Sequence, residues 1–548
     1  MAGAVFVGRL ARIVPGICRS FAYFSAFALA GSLLWHLLHN STSMIGLFED
    51  DFYYYVVIAD HLMTLGKLSF DGLTLTNGFH PLWLVVVLLL RVLTGGFGKA
   101  FFFGLALVFG ALAIASYESL RVLAERLGVS RALAAVLALL QISEVIWLIS
   151  TGMEVALAIP LFAWLLAEVA RAAPLTPARA GKIGALASLS VLARLDFALA
   201  LVMLVGLWLA WVRPWPRRPI PTALAFAAGC LPMVGYFASN LAFFGALLPT
   251  SGRAKQLGNG LHSTARFIQH CLDVVSVPRL LTLALGGIAL LLLRRKGALH
   301  SSARVAALTA LAFPVIFAVI NAVRSDWFVF VWYRYPIIAG LLCATALVGV
   351  WVEGHLKHQN LARAVALALA IAAMLVPLKG VRYFMRRGMA WSDGDNTLLP
   401  MARRVAEGLR HREGRIAMGD KAGISTFILN RPVVQLEGLV ADNALLNHIK
   451  HQDSLNAVLA DYGVDYLVVS AAETRPQRHD GCYDVVAPNP NQAGSSPAMT
   501  GRFCSEPLMH FETPESPHSW WHSLALETFV FDVRKERTLS ASRETFGD

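Results

Sequence analysis

Long apolar runs recur between short basic clusters from residue 20 to residue 378, and they constrain the fold more than any other feature. Many of these runs approach the roughly 20 residues that a helix needs to cross the hydrocarbon core of a bilayer. Only 15% of the 548 residues are charged, whereas a soluble chain carries about 25%. The sequence therefore predicts a polytopic α-helical membrane protein.

The basic clusters predict which loops face the cytoplasm, because Lys and Arg are enriched in cytoplasmic loops. The apolar run 81–94 is short for a crossing helix and reads as juxtamembrane or re-entrant. If it does not cross, most basic clusters fall on the side of the N-terminus. This predicts about 11 spans with a cytoplasmic N-terminus, the first of them an uncleaved anchor. The spans are 20–40, 100–119, 132–149, 155–170, 183–194, 196–212, 221–244, 279–293, 304–322, 335–352 and 361–378.

Two domains follow from this reading. Residues 1–378 form a membrane module whose first external loop, 49–99, carries the juxtamembrane helices. Residues 379–548 form an external domain in which strand-like runs such as RIAMG and DYLVVS alternate with helical ones, a pattern typical of an α/β fold. Its polar tail holds Cys482 and Cys504 on the oxidising side, where we expect a disulfide between them.

The net charge of +12 would suit a nucleic-acid-binding protein. Here the basic residues are dispersed between apolar runs instead of forming one patch. The positive-inside bias of membrane proteins explains them more simply. We therefore expect the lipid bilayer as a partner and no nucleic acid.

Three consecutive carboxylates, Glu49, Asp50 and Asp51, follow the first span. They have an ordinary explanation as a helix start, because acidic side chains favour the positive end of the helix dipole. The nearby segment TNGFHPLW (76–83) favours a functional explanation. It places polar side chains and an irregular turn before an apolar helix, and such backbone at membrane depth is tolerated where it lines a cavity.

Further ionisable residues stand at the ends of other spans on the same predicted side. Such residues at membrane edges are candidates for function. They are Glu154 in STGME, Arg194 and Asp196 in ARLD, Arg253 and Lys255 in LLPTSGRAK, and Arg334. Carboxylates with several cations suit a substrate that carries a phosphate and a group to be transferred. Each cation has the alternative role of an interfacial anchor.

These motifs, together with GDKAGISTFILNRPVVQLEGLV and YGVDYLVVS, resemble bacterial GT-C glycosyltransferases. The wider relatives are lipid A aminoarabinose transferases and protein O-mannosyltransferases. The resemblance covers residues 40 to 470. It implies an enzyme of the cytoplasmic (inner) membrane that moves a sugar from a polyprenyl-phosphate donor to an acceptor hydroxyl on the outer face, with inversion. The acceptor would be a cell-envelope glycan, a lipid or a protein.

The resemblance also implies roles for individual residues. Asp50 is the expected base, with Asp51 as the alternative, and Glu154 is the second catalytic acid. The cations would stabilise the charge that develops on the departing phosphate. The expected substrate-binding residues are Glu49, Tyr54, His61, Asn77, His80, Arg194, Asp196, Arg253, Lys255 and Arg334. His80 has the alternative role of a structural turn residue, and Tyr54 that of an aromatic anchor at the interface.

Two other classes of protein remain open on the sequence. A transporter or flippase would favour paired repeats with broken helices, and we find no internal repeat. The other alternative is a non-catalytic scaffold. The presence of all three consecutive carboxylates argues against it. Clustered acids are able to hold a divalent ion, but no His or Cys spacing indicates a metal site. We expect no cofactor and no metal.

Overall fold

The structure is a computed structural model. It describes residues 2–39, 45–213, 216–258, 264–325, 327, 329–355, 398–471, 476–487, 497–513 and 526–536.

The first part of the chain is helical. Its helices are α1 (Ala2–His39), α2 (Asp50–Leu65), α3 (Pro81–Thr94), α4 (Lys99–Arg126), α5 (Arg131–Ile149), α6 (Val155–Ala170), α7 (Pro177–Ala193), α8 (Phe197–Trp211), α9 (Pro219–Phe244), α10 (Thr250–Ala254), α11 (Thr264–Val274), α12 (Val277–Arg295), α13 (Ser301–Arg324), the 3₁₀ helix η1 (Val331–Arg334) and α14 (Pro336–His355).

The length and the apolar composition of the helices identify the chain as a multi-pass membrane protein. Among the described residues, seven helices are long and apolar enough to cross a bilayer, and α3, α6 and α8 are shorter apolar helices. Ten of the eleven predicted spans coincide with helices. The eleventh, 361–378, lies outside the described residues, as does the predicted domain boundary at 378/379.

The C-terminal part is an α/β domain, as predicted. Its helices are α15 (Leu398–Leu409), α16 (Ala422–Leu429), α17 (Asn443–His451) and α18 (Leu455–Asp461), and its strands are β1 (Arg415–Met418), β2 (Val433–Gln435), β3 (Val464–Ala471), β4 (Gln477–His479), β5 (Cys482–Ala487), β6 (Met499–Phe503), β7 (Met509–Thr513) and β8 (Leu526–Asp532).

The larger sheet has the order β2-β1-β3-β8-β7. Strand β1 lies parallel to β2 and β3, while β8 is antiparallel to both of its neighbours. Strands β4, β5 and β6 form a separate antiparallel sheet. Cys482 at the start of β5 is joined by a disulfide to Cys504, just after β6.

Several helix ends meet at one edge of the helical part. Helix α2 begins after Glu49, and α3 begins with Pro81 at its first turn, where the missing N–H of proline costs nothing. Between α7 and α8 the chain is extended at Arg194. Helix ends leave backbone groups and polar side chains outside the regular hydrogen-bonding pattern. This edge therefore concentrates the polar residues that the sequence places between spans.

Candidate functional site

The Asp50 carboxylate is bound to the C-terminal domain. It accepts hydrogen bonds from the backbone N–H groups of Gly423 (3.1 Å) and Ile424 (2.8 Å). These groups lie in the first turn of α16, whose N-cap residue Lys421 supplies no side-chain cap. Asp50 therefore caps α16 from a distant part of the chain, as an Asp at the N-cap position does locally. Burial raises the pKa of Asp50 to about 6 despite these hydrogen bonds.

Asp51, the next residue, is half-buried. Burial raises the pKa of Asp51 to about 7, outweighing the opposing effect of Lys255. The charges of Asp50 and Asp420 act in the same direction as burial. A carboxylate with this pKa suits general-base catalysis near neutral pH.

Glu154 stands at the N-cap of α6 with its side chain almost fully buried. It accepts a hydrogen bond from the Tyr55 hydroxyl at 2.9 Å and forms an ion pair with Arg194. The His80 Nε2 lies 3.7 Å from the Glu154 Oε1, and burial lowers the pKa of His80. The second His80 nitrogen, Nδ1, accepts from the Leu195 N–H at 3.4 Å. His80 thus bridges the TNGFHPLW turn and the break between α7 and α8.

Arg194 is shared between two carboxylates. Besides Glu154, its guanidinium donates to the Asp196 Oδ2 at 3.0 and 2.7 Å. Its charge also lies over the ring of Tyr335, 4.6 Å from the centroid. Burial alone would raise the pKa of Asp196, but Arg194 outweighs it and lowers that pKa. Arg194 thus links the start of α6 to the break between α7 and α8, and its charge is matched by Glu154 and Asp196.

Lys255 lies in an aromatic environment. Its ammonium donates to the Tyr333 hydroxyl at 2.8 Å and lies 5.7 Å from the ring centroid of Trp327 and 5.9 Å from that of Phe330. Among the described residues, no carboxylate lies within ion-pair distance of it. Burial alone would lower the pKa of Lys255, but Tyr333 and Asp51 raise it, so the side chain stays charged. Lys255 and Asp51 act on each other's pKa, and Lys255 also contributes to lowering the pKa of Asp196.

The other expected binding residues have structural partners. Asn77 is buried, donates to the Asn240 Oδ1 and accepts from the Thr250 N–H, so it ties the loop between α2 and α3 to α9 and α10. His61 contacts the Ser69 carbonyl oxygen at 3.0 Å. Tyr54 is buried edge-on against Phe70.

Arg253 and Arg334 also have partners outside the group of acids around Lys255. Arg253 donates to the Asn443 side chain of the C-terminal domain. Arg334 donates to the Asp273 carbonyl oxygen at 3.1 Å. The structure therefore brings Lys255 and Arg194 to the site and gives Arg253 and Arg334 other partners. Glu49 is the N-cap residue of α2, and its N–H donates to the Thr151 carbonyl oxygen at 3.1 Å.

Six residues near the acids had no predicted role: Tyr55, Tyr333, Tyr335, Asp420, Lys421 and Glu437. The tyrosines resemble ordinary interfacial aromatics in sequence. Asp420, Lys421 and Glu437 stand in the segments GDKAG and QLEG, which carry the resemblance but are more than 360 residues from Asp50. The sequence GDK directly after the strand RIAM was the signal from which Asp420 and Lys421 could have been found.

Among the described residues, no group of three or more potential ligands is arranged to hold a metal ion. The expectation of no metal stays a prediction.

The fold is that of a polytopic membrane protein with a C-terminal α/β domain. No protein-family model matches the sequence, and no curated protein is found as a relative. Solved structures are similar in fold. The oligosaccharyltransferase of Archaeoglobus fulgidus in the apo form superposes with a TM-score of 0.50 at 12% identity, over 83% of this chain and 69% of that one.

ArnT from Cupriavidus metallidurans in the apo state also superposes with a TM-score of 0.50, at 14% identity, over 80% of this chain and 92% of that one. At such identities the likeness concerns the fold alone.

Proposed function

We propose that this chain is a membrane glycosyltransferase that moves a sugar from a polyprenyl-phosphate donor to an acceptor hydroxyl on the outer face of the membrane. The observation that carries the proposal is the proximity of Asp51 to Lys255, which act on each other's pKa without forming an ion pair. The half-buried Asp51 carboxylate has a raised pKa, and the Lys255 ammonium donates to the Tyr333 hydroxyl. A base and a phosphate-binding cation are the two groups that this transfer requires.

In the proposed reaction, Asp51 accepts the proton of the acceptor hydroxyl. The acceptor oxygen forms a bond to the anomeric carbon while the bond from that carbon to the phosphate oxygen breaks. The electron pair of the broken bond stays on the phosphate, where the Lys255 ammonium stabilises the added charge. The products are the glycosylated acceptor and polyprenyl phosphate, with inversion at the anomeric carbon.

Asp51 is preferred over Asp50 because the Asp50 oxygens are already bound to α16. A base must lie within hydrogen-bonding reach of the proton that it removes. Asp50 is also only 6% exposed, which leaves an acceptor less access to it than to the half-buried Asp51. Glu154 is likewise committed to Tyr55 and Arg194, and we assign it the role of holding the site together.

The test uses purified protein in liposomes with a panel of labelled polyprenyl-phosphate sugars and cell-envelope acceptors. Wild-type protein should transfer label, and Asp51→Asn should lower the rate by about 10²–10⁴-fold, the usual contribution of a general base. The matched control is Asp60→Asn on the same helix. The Asp60 side chain is 39% exposed and pairs with Arg91, away from Lys255.

Two results would count against the proposal. A folded Asp51→Asn variant with the wild-type rate would exclude Asp51 as the base. Movement of the lipid-linked sugar across the bilayer, without transfer and insensitive to Asp51→Asn, would favour the transporter alternative.

The proposed orientation has a cytoplasmic N-terminus and an external C-terminal domain. Cysteine labelling tests it, because three of the four free cysteines are buried and Cys271 is half-buried. In a Cys271→Ser background, Lys450→Cys should react with a membrane-impermeant maleimide in spheroplasts, and Lys296→Cys only after permeabilisation. Both lysines are exposed. The reverse pattern would invert the topology.

A further inference from the structure

The C-terminal domain meets the start of α2 at very close range. A Cβ atom on Gly423 would lie 2.3 Å from the Asp50 carbonyl oxygen, a distance that no larger residue tolerates. Together with the two amide hydrogen bonds to the Asp50 carboxylate, this contact places the first turn of α16 directly on the acidic loop. The turn before α16 is therefore held beside Asp51.

A second contact holds the other side of the domain. The segment 436–443 lies on the TNG turn, where a Cβ atom on Gly78 would be 1.9 Å from the Leu439 carbonyl oxygen. The Thr76 hydroxyl donates to the Ala441 carbonyl oxygen at 3.2 Å. Arg253 reaches Asn443 from the α10 side. The domain is thus attached to both loops that border the site.

Between these contacts lie Asp420, Lys421 and Glu437, whose charges interact with those of Asp50 and Asp51. Lys421 has a left-handed backbone (φ 68°), and its ammonium lies 2.7 Å from the Asp420 carboxylate. Both side chains are largely buried, at 14% and 13% exposed. The Glu437 side chain is buried and accepts from the Gln435 amide at 3.1 Å. A buried lysine at an interface requires nearby negative charge, and Asp420 and Asp50 supply it.

We propose that the Asp420–Lys421 turn of the C-terminal domain is part of the transfer site, that Asp50 holds it there, and that Lys421 is a positioning residue for Asp51. This rests on the proposed function, in which Asp51 is the base. A positive charge favours the ionised form of a neighbouring carboxylate. Lys421 thus acts on Asp51 in the same direction as Lys255, but from the opposite domain.

The charged and titratable groups that face Asp51 come from several elements. They are Asp50 and Tyr54 on α2, Lys255 after α10, Asp420 and Lys421 before α16, and Glu437 after β2. The carboxylates oppose ionisation of Asp51, while the two lysines favour it. Removal of the Lys421 charge therefore leaves Lys255 as the remaining cation in this set.

The experiment measures the rate of sugar transfer against pH for the full-length chain in liposomes. Lys421→Met should move the acid limb of the profile to higher pH by less than about one unit, because Lys421 has the smallest of the influences on the pKa of Asp51. Lys421→Arg should restore the position of the limb. A merely structural role would lower the rate at every pH without moving the limb. Lys450→Met, an exposed lysine of the same domain, is the matched control and should behave as wild type.

A second measurement tests the role of Asp50 without using activity. Asp50→Ala should increase hydrogen exchange of the amides in the first turn of α16 by on the order of tenfold, as expected for a lost N-cap. Asp60→Ala should leave this exchange unchanged. Unchanged exchange in Asp50→Ala would overturn the assignment of Asp50.

The outcomes separate this inference from the proposed function. Active wild-type protein with an unshifted profile in Lys421→Met overturns the role of Lys421 alone. Wild-type protein that transfers no sugar from any donor overturns the proposed function, and this inference with it.

Discussion

Glu154 and Arg194 form an ion pair in which the two side chains are only 1% and 3% exposed. The pair joins the start of α6 to the break between α7 and α8, and Asp196 and Tyr55 complete its hydrogen bonding. Removal of one partner from a buried pair leaves an uncompensated charge, which costs about 3–5 kcal/mol.

We therefore expect Arg194→Met to lower the midpoint of thermal unfolding in detergent strongly. Arg194→Lys should recover only part of the loss, because an ammonium cannot reproduce the fork-shaped contacts of a guanidinium. Arg171→Met serves as the control, since the Arg171 side chain is 49% exposed and lies 3.7 Å from its carboxylate partner. An Arg194→Met variant as stable as Arg171→Met would show that the pair contributes little.

The pH dependence of transfer follows from the protonation of Asp51. The base acts only when ionised, and burial raises the pKa of Asp51 to about 7. The rate should therefore fall as the pH decreases through about 7, approaching a tenfold loss for each unit below it. The measurement is kcat/KM between pH 5 and 9, with Asp60→Asn as the control. A profile that is flat down to pH 5 would mean that the base has an ordinary carboxylate pKa.

Some of this arrangement could be predicted from the sequence, because it depends on local periodicity. The apolar runs specify the helices, and the alternation of β-rich and helical segments specifies the sheet domain. The sequence predicted that three ionisable residues lie together, because they stand at the ends of different spans on one predicted side. They are Glu154, Arg194 and Asp196. The structure places them in direct contact.

The choice between Asp50 and Asp51 depends on information that no local pattern carries. The two residues are adjacent in one helical turn and chemically identical, so their environments differ only through tertiary contacts. Asp50 meets α16, which is 373 residues away in the chain. The same reasoning separates Lys255 from Arg253, which stands two positions earlier but points to Asn443. Lys421 was unassigned because its neighbours come from the other domain.

Lys255 is expected to bind the phosphate of the donor. Lys255→Met removes a charge-assisted hydrogen bond worth roughly 1.5–3 kcal/mol, which corresponds to about 10–100-fold weaker donor binding. Lys255→Arg should retain part of the affinity because the charge persists. The measurement is the KM for the lipid-linked sugar under conditions in which chemistry limits the rate.

Two comparisons sharpen this prediction. Tyr333→Phe removes the hydroxyl that orients Lys255 and should weaken donor binding less than Lys255→Met does. Lys296→Met, an exposed lysine at the end of α12, should leave the KM unchanged. A donor KM that is the same in Lys255→Met and Lys296→Met would assign phosphate binding to another group.

The contact between the TNG turn and the C-terminal domain leads to a prediction about Gly78. An added methyl group at this position would meet the Leu439 carbonyl oxygen at 1.9 Å, so Gly78→Ala must displace either the turn or the 436–443 segment. We expect faster hydrogen exchange in that segment and a lower rate of transfer, since the displaced domain carries Lys421. Gly235→Ala is the matched control, because a Cβ atom there meets nothing within 4 Å and alanine favours the helix. Gly235→Ala should change neither the exchange nor the rate. If Gly78→Ala also changed neither, close docking of the domain would not be required for the reaction.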